Sequence, residues 1–242
     1  MTKRITSPAI GLLLGLAVLL GLMAQPAVAA KKVPANLRVV TWKGKILFDG
    51  TVKTGTAKIK PNTACLGGEA GPARTIAGPT ALGLLYQASL RYKALRPLKL
   101  SDGDFGFGIC GIGGVSAKKE EWWVLRRNFR DSPSGAELTK VRRGDKILIY
   151  LSRTYNEETP NSLALNAPRK VRRGAKVKVR VFSYDAKGKR TPVEGAKVSG
   201  AKGAPTDSHG YTTLTITRRT RLVAREGSQI PSNRVKVTIK KR

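Results

Sequence analysis

"GFGICGIGG", residues 106–114, is the stretch whose reading decides the fold. It matches G-x-G-x-x-G at Gly106, Gly108 and Gly111, and it holds Cys110, one of only two cysteines in the chain. A dinucleotide fingerprint needs a strand before it, a helix opening at its last glycine and an acidic residue about 20 positions on. Here "KLSDGD" precedes it and reads as a turn, while "VSAKKEEWW" follows and opens no amphipathic helix. The stretch therefore reads as glycine-rich backbone that bends and passes close to a disulfide partner. A doubly wound nucleotide-binding fold is set aside.

The compartment agrees with that reading. Lys3 and Arg4 precede an uncharged apolar run, Ile10 to Met23, and "AVAA" places small residues where a signal peptidase cuts. Residues 1–30 are expected to be a signal peptide, cleaved after Ala29 or Ala30. Their apolar core is shorter than the roughly 20 residues of a spanning helix, so no membrane span is expected after cleavage. In an oxidising compartment, Cys65 and Cys110 are predicted to form one disulfide. Two cysteines and a single distant histidine do not make a zinc set.

Charge narrows the function classes. The 242 residues carry 46 basic and 15 acidic side chains, a formal net charge of +31. Such a surface attracts anionic polymers of a cell wall or surface. The basic residues are spread along the chain, and the stacking platforms and motifs of a dedicated nucleic-acid site are missing. Diffuse attraction to anionic polymers is thus expected, and a specific nucleic-acid partner is not.

A break at "NEETPNS", 156–162, is acidic where its surroundings are basic and is interrupted by Pro160. It divides the mature chain into domains at 36–155 and 162–242, joined by a linker at 156–161. The linker has almost no apolar residue with which to tie two cores together, so the domains are expected to be separable.

The first domain reads as α+β. "LRVVTW" and "KILFDGTVKTGTAKIK" are strand-like, with Asp49-Gly50 as a hairpin turn signal. In 79–97, Leu82, Leu85, Ala88 and Tyr92 recur at helical spacing between two prolines. "FGICGI", "EWWVLRRNF" and "DKILIYLS" are further strands, the last apolar on both faces. Trp122, Trp123 and Tyr150 are the aromatic residues that would face a ligand if this domain holds a pocket; burial in the core is their competing role.

The second domain alternates with period two in "KVKVRVFS", "TLTIT" and "RVKVTI", the pattern of a small sandwich. "KVRRG" occurs at 140–144 and again at 170–174, each time before a strand, and reads as two similar basic turns rather than a duplication. His209 sits in "TDSHG", a turn whose adjacent side chains lack the geometry of a catalytic triad. Asp102 and Asp104 are close, but the glycine stretch after them supplies no further calcium ligands. No catalytic residue, metal or cofactor is expected, and the protein is read as non-enzymatic.

Two resemblances follow from these residues. Leu82 to Leu85, Trp123 with Asn128, Gly135-Ala136, and Gly144-Asp145 with Tyr150 resemble the transcobalamin-like C-terminal domain, a secreted bacterial family. The resemblance implies a β-grasp-like fold, a mixed sheet curling around one helix, and ligand binding by fold-level analogy with vertebrate cobalamin binders. The chain departs from the pattern at Phe129, where glycine follows the asparagine in the family, and in its cysteine pair. Residues 192–198, 206–210 and 232–237 resemble bacterial immunoglobulin-like modules, which implies a spacer or adhesion unit. The expected protein is secreted or held in the cell envelope and works by binding or surface presentation, or as a soluble binder of a small ligand.

Overall fold

A computed structural model describes residues 32–153 and 159–240. The expected signal peptide and the first half of the expected linker, 156–158, lie outside the described residues. In chain order the first half contains β1 (Val33–Val40), β2 (Ile46–Thr54), β3 (Ala57–Ile59), β4 (Arg74–Ile76), α1 (Ala81–Arg91), β5 (Leu98–Gly103), β6 (Gly106–Ile112), β7 (Val115–Ser116), β8 (Trp122–Arg127), β9 (Arg130–Asp131) and β10 (Lys146–Ser152). The second half contains β11 (Ser162–Asn166), β12 (Lys170–Val171), β13 (Ala175–Tyr184), β14 (Arg190–Pro192), β15 (Lys197–Ser199), β16 (Tyr211–Ile216), β17 (Thr220–Arg225) and β18 (Val235–Ile239).

The α+β, β-grasp-like expectation for the first half is corrected: this half is β-rich, with α1 as its one α-helix among the described residues. Its strands form three separate sheets, ordered β2-β1-β10-β8-β9, β3-β4 and β5-β6-β7. The reason lies in segments without hydrophobic period. Residues 99–104, read as a turn, run mostly within β5, which pairs along β6 from Leu98↔Ile112 to Gly103↔Gly106. Backbone pairing and the disulfide join these glycine-rich strands, and Leu98, Leu100, Phe107, Ile109 and Ile112 bury them in the helix-side core.

Asp49-Gly50 is not a turn either. Both residues lie inside β2, opposite Arg38 and Leu37. The chain reverses earlier, over Thr41 to Lys45, where Thr41 N–H bonds Lys45 O at 2.9 Å. Gly50 serves packing instead: a Cβ there would sit 3.1 Å from the Phe48 ring.

The helix forms within the expected stretch but is shorter than the span between Pro79 and Pro97, ending at Arg91. The Thr80 hydroxyl accepts from Gly83 N–H at 3.1 Å and caps the N-terminus, while Leu82, Leu85 and Ala88 are fully buried. They pack on Leu37, Val39, Ile147 and Ile149 from the inner face of the five-stranded sheet. Tyr92 stays 40% exposed at the C-cap, its ring 4.5 Å from that of Phe48.

The second half is a β-sandwich. One sheet runs β11-β13-β14 with β16 beside β13, the other β12-β18-β17-β15, and Leu165, Val179, Val181, Leu214, Leu222 and Val237 fill the space between. The two KVRRG segments make alike turns: Gly144 and Gly174 take φ of +83° and +75°, just before β10 and β13.

The halves do not stand apart. A third core joins Val40, Ile46, Leu148 and Tyr150 of the first to Val223 and Ile230 of the second. This explains why "DKILIYL" is apolar on both faces. Ile147, Ile149 and Leu151 meet the helix side, while Leu148 and Tyr150 meet the sandwich. Two buried arginines reinforce the joint. Arg38 donates to Leu163 O at 3.2 Å and Pro231 O at 2.7 Å. Arg126, fully buried and ion-paired with Asp131, donates to Pro160 O at 3.0 Å.

Candidate functional site

The disulfide joins Cys65 to Cys110 with 5.8 Å between Cα atoms. It fastens β6 to the loop between β3 and β4, and this is where the glycines matter. A Cβ on Gly108 would come within 2.6 Å of Ser101 Oγ, and one on Gly68 within 2.8 Å of the Asp102 carbonyl.

The remaining sequence candidates are scattered. Trp123 is 9% exposed within the first core, and Trp122 is half-buried at the start of β8. Tyr150 is buried at the joint, where burial pushes its phenol up to about 12 against the nearby Arg126 charge. Asp102 is ion-paired with Arg74, which also reaches Glu137 at 2.7 Å. His209 lies in an exposed turn, and the Asp207 carboxylate beside it accepts the backbone N–H groups of His209 and Tyr211. Trp122, Trp123 and Tyr150 lie on the paired strands β8 and β10, whereas Asp102 belongs to a different sheet and His209 to the other half.

The structure assembles another set. A cleft of about 380 Å³ opens between the halves, lined on one side by Asn36, Arg38, Asp49, Phe129 and Lys146 and on the other by Arg169, Phe182, Tyr184, Arg190 and Arg234, among others. Each side chain arrives there for a local reason. β1 alternates, so Leu37 and Val39 enter the helix-side core while Asn36 and Arg38 face the sandwich. Phe129 is carried by the hairpin between β8 and β9, whose two turn residues, Asn128 and Phe129, both have positive φ, +51° and +70°. That is a type I′ geometry, which favours Asn-Gly. Asn128 fits, and its amide bonds Asp145 Oδ1 at 2.8 Å. Phe129 is strained there, by about 1–2 kcal/mol for an L-residue in the left-handed region. Its ring stacks on Tyr184 from the other half, centroids 4.0 Å apart and planes 11° from parallel.

Electrostatically the cleft is one-sided. Asp49 is its only acidic lining residue among the described residues, against Arg38, Lys146, Arg169, Arg190 and Arg234. Burial pushes the Asp49 carboxyl up, opposed by the Arg234 N–H and the charges of Arg38 and Arg234. Burial lowers Arg38 to about 10, against the pull of Asp49. Lys146, Arg169 and Arg190 have no carboxylate at ion-pair distance among the described residues. Two of them lie over rings: Lys146 4.9 Å from the Phe129 centroid and Arg190 4.6 Å from that of Phe182. The arrangement can hold an anionic group beside a flat apolar one.

Sequence reasoning missed this site because its walls come from both halves. One signal was present in Phe129, the residue that departs from the glycine of the family pattern.

No protein family matches the chain, and no curated protein does. Among solved structures, haptocorrin in complex with Cbi is similar at 16% identity and a TM-score of 0.38, over 52% of this chain and 26% of that one. The chain thus spans about a quarter of that structure's length. No family match accompanies the resemblance of the first half to transcobalamin-like domains.

Proposed function

We propose that the protein is a non-enzymatic binding protein of an exported, oxidising compartment, and that it takes a small anionic ligand with a planar apolar part in the cleft between its halves. The carrying observation is Phe129, a bulky residue kept in a backbone position suited to glycine, where its ring meets Tyr184 under Lys146. Strain at a single residue persists where the surroundings over-determine it, and such residues cluster at ligand clamps. Three cations without ion-pair partners beside the stacked rings supply the charge for an anion, and guanidinium forks suit carboxylate or phosphate. The disulfide supports the oxidising compartment.

Calorimetric titration with phenyl phosphate, inorganic phosphate and phenol tests this reading. The aromatic anion is expected to bind more tightly than either fragment, and Arg169→Ala is expected to weaken it at least tenfold. Equal affinity of wild type and variant would place the ligand elsewhere.

A further inference from the structure

Charge that is spread evenly along the sequence becomes ordered on one face of the sandwich. Along β13, alternate side chains leave the core, so Lys176, Lys178, Arg180, Phe182 and Tyr184 share the outer face while Val177, Val179 and Val181 are buried. β16 lies alongside and sets Tyr211 opposite Arg180, Thr213 opposite Lys178 and Thr215 opposite Lys176. Lys178 stands 4.1 Å above the Tyr211 ring centroid, and Arg180 lies 4.5 Å from that ring and 4.6 Å from Phe182. Arg180 Nε also donates to His209 O at 3.0 Å. Past Lys176 the face runs into a hollow of about 1060 Å³, lined among others by Lys202, Thr213, Thr215 and Arg218 and, among the described residues, by no acidic one. None of Lys176, Lys178 and Arg180 has a carboxylate at ion-pair distance among the described residues.

We propose that this outer face of β13 and β16 docks a linear phosphodiester polymer that carries no bases, a polyol-phosphate chain of the cell envelope. Three features support that occupant. Outward residues on a strand recur about every 7 Å, so three successive cations present a line of charge to a polymer with one phosphate per short repeat. Cation–π contacts hold Lys178 and Arg180 in place beforehand, which reduces the side-chain entropy lost on binding. The same contacts set a cation against the Tyr211 and Phe182 rings, so charge is what the face presents along its length. Unlike diffuse attraction to any polyanion, this mode is local; the face shares Phe182 and Tyr184 with the cleft that takes the small ligand, but its cations Lys176, Lys178 and Arg180 do not line that cleft.

Binding of the intact protein to synthetic poly(glycerol phosphate) at about 0.15 M salt tests the proposal. Replacing Lys176, Lys178 and Arg180 with serine should weaken binding at least tenfold and flatten the slope of log affinity against log salt by about two, near 0.7 per lost contact. Serine at the exposed Lys53, Lys58 and Lys60 removes the same charge elsewhere and should change affinity by less than about threefold. Tyr211→Leu keeps every charge and should weaken binding severalfold, with the melting temperature of each variant serving as the check on folding. Equal losses in the two triple variants would reduce the effect to diffuse charge and overturn the proposal. A single-stranded oligonucleotide of matched charge that bound as tightly as the polymer would also overturn it, in favour of nucleic acid. Phe129→Gly should leave polymer binding within twofold, so failure here and failure of the cleft reading can be told apart.

Discussion

Phe129 carries two effects of opposite sign. Its left-handed backbone costs about 1–2 kcal/mol, and its ring supplies the contact with Tyr184 across the cleft. Phe129→Gly should therefore leave the melting temperature unchanged or raise it slightly, while ligand affinity falls at least fivefold. A thermal scan alongside a titration separates the two. Asp145 makes a prediction about pH. Burial alone would raise its carboxyl, but the Arg142 N–H, Asn128 and Arg127 outweigh that and hold it below the ordinary carboxylate value. A depressed folded value means stability that is present above the unfolded value, near 4, and is lost as pH falls through the folded one. Asp49 is shifted the other way, so its protonation on acidification opposes this loss. Asp145→Asn should accordingly flatten the acid limb of a stability-against-pH curve, measured by denaturant unfolding, and a limb as steep as wild type would contradict the assignment.

Elements with a clear hydrophobic period were legible in the sequence. The helix was, because Leu82, Leu85 and Ala88 mark one face between Pro79 and Pro97; β13 and β10 were, from alternation in one and a doubly apolar run in the other. The β5–β6 hairpin was only half legible. Its strands are held by pairing, by Cys110, whose partner Cys65 was evident from the compartment, and by Leu98, Leu100, Phe107 and Ile109 in the core, whereas the turn-like Ser101 to Asp104 hid the first strand. Asp49-Gly50 misled because a glycine needed beneath the Phe48 ring looks the same as one needed for a turn. With 45 positions between its cysteines, the disulfide should contribute about 4 kcal/mol in the chain-entropy model. Reduction should lower the melting temperature markedly, and mass analysis without reductant should find the two cysteines joined.

At the scale of the molecule, the charged linker concealed the joint. The contacts that bind the halves come from one or two residues each in β1, β2, β10 and β17 and from Ile230 beyond it, and the linker joins in only through the Pro160 carbonyl. Arg38 reads in sequence as one basic residue among 46, yet it is 7% exposed and donates to two backbone carbonyls of the sandwich. The expectation of separable domains gives way to a different one. Residues 32–153 and 159–240, produced as separate chains and mixed, should associate through the shared core, and Arg38→Ala should abolish that association by leaving Leu163 O and Pro231 O without their donor. Size-exclusion chromatography of the mixture checks this; halves that never co-elute would contradict the joint.

The same joint makes the cleft, so the most direct measurement titrates phenyl phosphate into the intact protein and follows the backbone amide resonances. Saturable shifts are expected at Phe129, Lys146, Arg169 and Tyr184, with positions around the disulfide unmoved. Shifts centred on Trp122, Trp123 or the glycine stretch 106–114, or no saturable shift at all, would contradict binding between the halves.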